Sequence, residues 1–187
     1  NKGGMAATLH QMGNLAYVIG DLNEARRLYN ESLNINRELG NKSSIAATLH
    51  QMGVLAYAIG DLNEARRQYE LCLKIKQELG DKNGIARTLH QIGIMAKDVG
   101  DLDEARHLYN RNLKTYTDLG DKIGMAISLA QLALLEEQQG DLRAALDLTT
   151  QSLSIFEQIG ANIYAKKARD QKERLETKLA EMNRKQI

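Results

Sequence analysis

The sequence predicts an all-α fold built from paired helices stacked in register, and three observations carry that prediction. The stretch Gly60-Asp61-Leu62-Asn63-Glu64-Ala65-Arg66 returns at 20–26 and, with one Asn-to-Asp change, at 100–106, and a worn copy stands at 140–146. The spacing is 40 residues each time, and a fixed period of this size is the signature of a repeat array. Proline and tryptophan are absent and aromatic residues make up 4% of the 187-residue chain, so helix formers dominate. The glycines recur near segment ends or at repeat-matched positions, as helix stops do.

Alignment at the period divides the chain into units 1–40, 41–80, 81–120 and 121–160, with a remainder at 161–187. Units one and two match at 28 of 40 positions, two and three at 20, and three and four at 13. A regular interior that decays into an atypical end is what a stack with a terminal cap produces.

In unit two, Ser43 and Ser44 follow the turn Gly40-Asn41-Lys42 and are expected to cap a first helix over 45–59, with Leu49, Met52, Gly53 and Ala56 on one face. Gly60 suits the left-handed position that ends it. Asp61 is the expected N-cap of the second helix, with Glu64 three residues on as a capping-box carboxylate. That helix runs from Leu62 to about Leu79 and turns Leu62, Ala65, Tyr69, Cys72 and Leu73 inward. Gly53 and Ala65 carry almost no side chain, so the paired helices can approach closely there, with Tyr69 filling the space beside them.

Unit four loses part of this pattern: Ala133, Glu136 and Thr149 stand where unit two has Gly53, Ala56 and Tyr69, and Ala144 removes the capping-box acid. Beyond it, Ala168, Leu175, Leu179 and Met182 share one helical face. Eight Lys/Arg against four Asp/Glu between Lys166 and Lys185 occupy the rest. One apolar stripe on a polar helix suits a cap that no further repeat covers.

The net charge is +1, with 25 basic and 24 acidic residues, so neither nucleic acid nor a membrane surface is an expected partner. Cys72 is the only cysteine, which excludes an internal disulfide and fits a reducing, cytoplasmic setting; its place on the inward face makes it a buried thiol. No apolar run approaches ~20 residues, and no signal peptide opens the chain. The start at Asn1, inside a repeat-like turn, suggests a segment of a longer protein.

The period alone admits armadillo or HEAT repeats of ~40–47 residues or a lengthened tetratricopeptide repeat, usually ~34. The pattern Leu49-x-x-Met52-Gly53-x-x-Ala56, then Gly60, then Ala65-x-x-x-Tyr69, resembles the tetratricopeptide motif in order and spacing. Units one and three keep it as Leu9, Met12, Gly13, Gly20, Ala25, Tyr29 and as Leu89, Ile92, Gly93, Gly100, Ala105, Tyr109. The family's first-helix tryptophan and tyrosine are Leu49 and Ala56 here, and its terminal proline is absent. The chain thus resembles the long-repeat subclass found in kinesin light chains and bacterial signalling regulators. The resemblance implies a right-handed α-solenoid of four helix-turn-helix repeats plus a C-terminal capping helix, whose first helices line a concave groove that binds protein partners.

On that resemblance, the groove face carries repeated ladders. Gln11, Gln51, Gln91 and Gln131 form one; Asn14, Val54, Ile94 and Leu134 a second; Tyr17, Tyr57, Lys97 and Glu137 a third. His50, Arg87 and His90 lie beside them. In similar peptide-binding members an asparagine at the Gln51 position holds the ligand backbone or its carboxylate, and glutamine offers the same donor and acceptor on a longer arm. Aliphatic neighbours would take apolar side chains of an extended peptide.

His10, His50 and His90 recur at the period, but adjacent helices lie ~8–10 Å apart, too far for all three to ligate one ion at ~2 Å; they read as polar wall residues. His107 reads as a surface residue. Phosphate loops, zinc cysteine pairs and nucleophile elbows are absent, and the Arg26/Arg27 and Arg66/Arg67 pairs read as surface ion-pair partners of Glu24 and Glu64. The expectation is a non-enzymatic scaffold, without cofactor or metal, that binds a protein or peptide. The alternatives are a regulatory or sensor module of a larger signalling or transcription-regulating protein, and an array that self-assembles through an open edge near Met5 and Leu9.

Overall fold

The computed structural model describes residues 1–184, and within them nine α-helices follow one another with short turns and no strand. They are α1 (Lys2–Val18), α2 (Leu22–Glu38), α3 (Lys42–Ala58), α4 (Leu62–Glu78), α5 (Lys82–Asp98), α6 (Leu102–Leu119), α7 (Lys122–Gln139), α8 (Leu142–Gln158) and α9 (Asn162–Arg184). The fold is all-α, a helical-repeat solenoid. Its contacts gather into two compact units, residues 1–95 and residues from 96 onward, which divide within α5.

A glycine in the left-handed region follows each of the first eight helices. The φ values alternate, 82–88° at Gly20, Gly60, Gly100 and Gly140 and 65–70° at Gly40, Gly80, Gly120 and Gly160. At the first kind of bend the Gly60 N–H donates to the Tyr57 carbonyl at 3.0 Å and the Asp61 N–H to the Ala56 carbonyl at 2.9 Å, so the last carbonyls of α3 are satisfied while the chain reverses. The Asp61 carboxylate then accepts the Glu64 N–H at 3.0 Å and caps α4.

Two capping expectations need correction. The α3 cap is Asn41, whose Oδ1 accepts the Ser44 N–H at 3.2 Å; Ser44 sits three residues into the turn, where its own N–H is the orphan in need of an acceptor. Nor does Glu64 close a capping box: the Asp61 N–H is already spent on Ala56. The Glu64 carboxylate takes the Arg67 Nε and Nη2 at 2.8 Å and the Gln68 Nε2 at 2.6 Å. At Asp141 the cap forms onto the Ala144 N–H at 2.9 Å with no acid there at all.

In the first unit, Ala16, Ala25, Leu28, Tyr29 and Leu55 form one buried cluster, and Leu33, Ala46, Leu49 and Cys72 a second. Small residues set the helix spacing. A Cβ built on Gly53 would lie 2.5 Å from Tyr69 Cε1, and one on Gly13 2.6 Å from Tyr29 Cε1, so the tyrosine rings lie flush against bare backbone. In the second unit Ala133 and Thr149, smaller ring-side and larger backbone-side than their counterparts, are both buried.

The second unit keeps one cluster around Ala96, Ala105, Tyr109, Leu132 and Leu135, and another in which Ala165 and Ala168 of α9 cover Ala126, Leu153 and Phe156. Leu175 is buried, Leu179 half-buried and Met182 exposed, so the expected apolar stripe of α9 loosens toward its end. The basic side is not merely solvated. Arg174 and Lys178 reach the Glu137 carboxylate of α7 at 2.8 and 2.7 Å, and Arg169 pairs with Glu157 of α8 at 2.5 Å. Lys185, counted in the expected basic face, lies outside the described residues.

Candidate functional site

The odd-numbered helices present their polar faces in three hollows, each contained in one unit. Between α1 and α3, Ala6, Ala7, His10 and Gln11 face Ser44, Ala47 and Thr48 across about 290 Å³. Between α3 and α5, His50 and Gln51 face Arg87, Thr88 and Gly84, with Lys76 of α4 at the side, across about 170 Å³. In the second unit, Ile127, Gln131 and Leu134 of α7 face Tyr164, Lys167 and Gln171 of α9 over Phe156, across about 250 Å³.

His10 and His50 are structural bridges between neighbouring odd-numbered helices. His10 Nδ1 lies 3.2 Å from Thr48 Oγ1, and His50 Nδ1 3.2 Å from Thr88 Oγ1. Each threonine hydroxyl already donates to a carbonyl in its own helix, Thr48 to Ser44 and Thr88 to Gly84, both at 2.9 Å. A hydroxyl has one hydrogen to give, so each imidazole must donate from Nδ1, which leaves Nε2 unprotonated. Burial, and then the Arg87 and Lys76 charges, push the His50 pKa down to about 4; burial lowers that of His10. Both rings are neutral at pH 7, and they tilt against Tyr69 and Tyr29 at centroid distances of 5.7 and 5.8 Å.

Gln11, the first rung of the glutamine ladder, is exposed and accepts from the Asn14 amide at 3.3 Å. Asn14 in turn accepts the Tyr29 hydroxyl at 2.9 Å. Val54 stands at the matching place in α3, and the Tyr69 hydroxyl is buried without a partner. Tyr17 packs against the cluster around Ala25 and Leu55. Tyr57, His90, Gln91, Ile94 and Lys97 are half-buried, and Arg87 is exposed. His50, Gln51 and Arg87 therefore meet in one hollow, and Gln131 and Leu134 in another. Among the described residues no three His, Cys, Asp or Glu side chains converge as a metal would need.

The hollow against α9 holds residues that sequence reasoning missed. Gln131 Oε1 and Gln171 Nε2 are both buried there without a hydrogen-bond partner, one an acceptor and one a donor. Tyr164 stacks on Phe156 at 5.2 Å and 19°. The signal for Gln171 was present: it is the fifth rung of the glutamine ladder, 40 residues beyond Gln131, and Lys167 continues Arg87 and Ile127 in the same way.

Comparison with known proteins places this geometry. A family model described as tetratricopeptide repeat matches residues 4–78 and 84–158. No curated protein matches the chain. Among solved structures, one of a putative kinesin light chain with nearly identical TPR-like repeats from Podosopora anserina aligns at a TM-score of 0.68 and 15% identity, covering 96% of this chain and 98% of that one. A signal transduction ATPase with numerous domains from Pyrococcus horikoshii, PH0952, whose tetratricopeptide repeats are described as a sensor, aligns at 0.83 and 15%, covering 98% of this chain and 31% of that one. A Rap protein complexed with competence and sporulation factor aligns at 0.62 and 18%, covering 94% and 53%. At these identities the structures speak for the fold alone. The family match covers most of the chain, and the glycine-against-tyrosine packing recurs where the motif demands it: the chain belongs to the tetratricopeptide repeat family.

Proposed function

We propose that this chain is a non-enzymatic binding module whose odd-numbered helices hold an extended peptide or partner segment. The observation that carries this reading is the pair of orphaned amide atoms in the hollow against α9. A peptide bond supplies one N–H and one C=O, the complement of Gln131 Oε1 and Gln171 Nε2. Leaving either buried and unmet costs ~1–3 kcal/mol. Ile127, Leu134 and Tyr164 around them would seat an apolar side chain of the same segment. Gln51 and Arg87 extend the same chemistry in the first unit, where Arg87 favours an acidic residue of the ligand.

A peptide array probed with the purified chain, followed by titration of the best binder, tests this. Gln131→Ala with Gln171→Ala should weaken binding ~10-fold or more, since each lost bond is worth ~1 kcal/mol, and Leu134→Asp should abolish it. Undiminished affinity in both variants would sink the reading. A regulatory role within a longer protein is a second reading, supported by the likeness to PH0952, of which this chain covers only 31%.

A further inference from the structure

A further cavity, of about 420 Å³, opens between α2 and α4 in the first unit, with Met52, Leu55 and Ala56 of α3 and Leu33 of α2 as its apolar floor. It shares only that floor with the helices that carry the peptide-binding candidates, and its chemistry is independent of the proposed peptide binding. Its volume is within the ~300–1,000 Å³ of ordinary small-molecule sites.

One substitution adds a buried amide to its otherwise charged walls. Units one and two are the best-matched pair in the chain, yet Leu28 of α2 becomes Gln68 in α4, and the same register is leucine again at Leu108 and Leu148. Gln68 is only 4% exposed. Its Nε2 is committed to Glu64 at 2.6 Å, which fixes the amide the other way round for Oε1, and Oε1 is buried with no hydrogen-bond partner. Gln68 lines the cavity. An uncompensated acceptor in a core position where leucine serves elsewhere is a cost that a ligand's N–H would remove.

The two walls have opposite character. On α2, Arg26 and Arg37 line the cavity as exposed cations. On α4 and its cap the lining residues are Asp61, Glu64 and Gln68, with the unpartnered Gln68 Oε1 buried in the wall, while the one cation there, Arg67, is held by Glu64 at 2.8 Å. Arg26 also acts on Glu64, helping to keep its pKa low, so the cationic wall reaches the neighbourhood of the Gln68 amide. A ligand with a carboxylate on one side and an ammonium on the other meets both walls at once, and an aliphatic body covers Met52 and Leu55.

We propose that the α2–α4 cavity is a binding site for a small zwitterion with an aliphatic body, a free amino acid or a short peptide with both termini free. The carboxylate faces Arg26 and Arg37, and the ammonium donates to Gln68 Oε1.

Calorimetric titration of the whole chain with L-leucine, L-methionine and Leu-Leu tests this, alongside N-acetyl-L-leucine, which lacks the ammonium, and L-leucinamide, which lacks the carboxylate. Saturable binding of at least one free zwitterion is expected, at least tenfold weaker for both blocked analogues. Preference for Leu or for Leu-Leu distinguishes the two sources. Gln68→Leu, which installs the residue that the sister helices carry, should keep the helical circular dichroism and lose at least tenfold in affinity; Arg37→Ala, at an exposed position, should do the same. No saturable binding by any of the three zwitterions, equal binding of the blocked analogues, or unchanged affinity in Gln68→Leu and Arg37→Ala would each overturn the proposal.

Discussion

His50 shows how one residue links burial, hydrogen bonding and pH. Its folded pKa of about 4 lies below the 6.5 of an unhindered imidazole, so between those values the unfolded chain binds the proton that the folded chain refuses. Stability from this site is therefore full above pH 6.5 and is lost as pH falls toward 4, by roughly 3 kcal/mol over the whole window. His50→Gln should flatten urea-unfolding free energies between pH 6.5 and 4 relative to the parent. An identical pH slope in the two proteins would show that the ring is not held neutral. That dependence was not legible in the sequence, where the histidine ladder gave only the period. The Thr88 acceptor is 38 residues away and becomes a partner only when α3 and α5 lie side by side.

At the scale of the helical pair, Gly53 and Tyr69 act as one device. Gly53→Ala drives a methyl into the Tyr69 ring and should cost ~1–3 kcal/mol as overpacking. Tyr69→Thr removes the ring and should cost ~3–5 kcal/mol. Ala133 and Thr149 form the matched alternative pair, so in the double variant the alanine methyl no longer meets the ring. Chemical denaturation of the four proteins in a cycle should give a coupling of at least ~0.5 kcal/mol, with the double variant more stable than the sum predicts; strict additivity would refute the shared contact. This device was readable in advance because it is local to a repeat and recurs. The ends of both helices and the start of α4 were readable to within a residue for the same reason, whereas α3 begins at Lys42 and not at 45. The capping details were not, because Asn41 and Ser44 are both good cap formers, and only the position of the first helical N–H decides between them.

For the whole molecule, the ladders were visible as periodic residues, but which rungs share a hollow depends on helix packing that no single repeat encodes. Gln171 was overlooked because α9 reads as a polar cap, although its face toward α7 continues the repeat. At the other end, α1 and its C-cap leave Leu15, Val18 and Ile19 at 62%, 79% and 72% exposure, with Met5 at 52%. A net charge of +1 sets up little long-range repulsion between copies. Sedimentation of the isolated chain should show concentration-dependent association through this face, and Leu15→Glu with Ile19→Glu should return a monomer. A monomer at every concentration in the parent would exclude it.

The alternation of φ at the eight bends makes the chain a ruler with two kinds of graduation mark. A glycine at φ 87° joins α1 to α2, and one at φ 65° joins α2 to α3. Excising 41–80 would splice Gly40 to Asp81, an acceptor side chain in the place of Asn41, so the same kind of mark and the same helix direction are kept. Excising 41–60 would set two second helices end to end with every apolar stripe out of phase. The length of such a protein can therefore change in steps of 40 residues but not of 20, and any insertion that adjusts its reach must come as a whole hairpin.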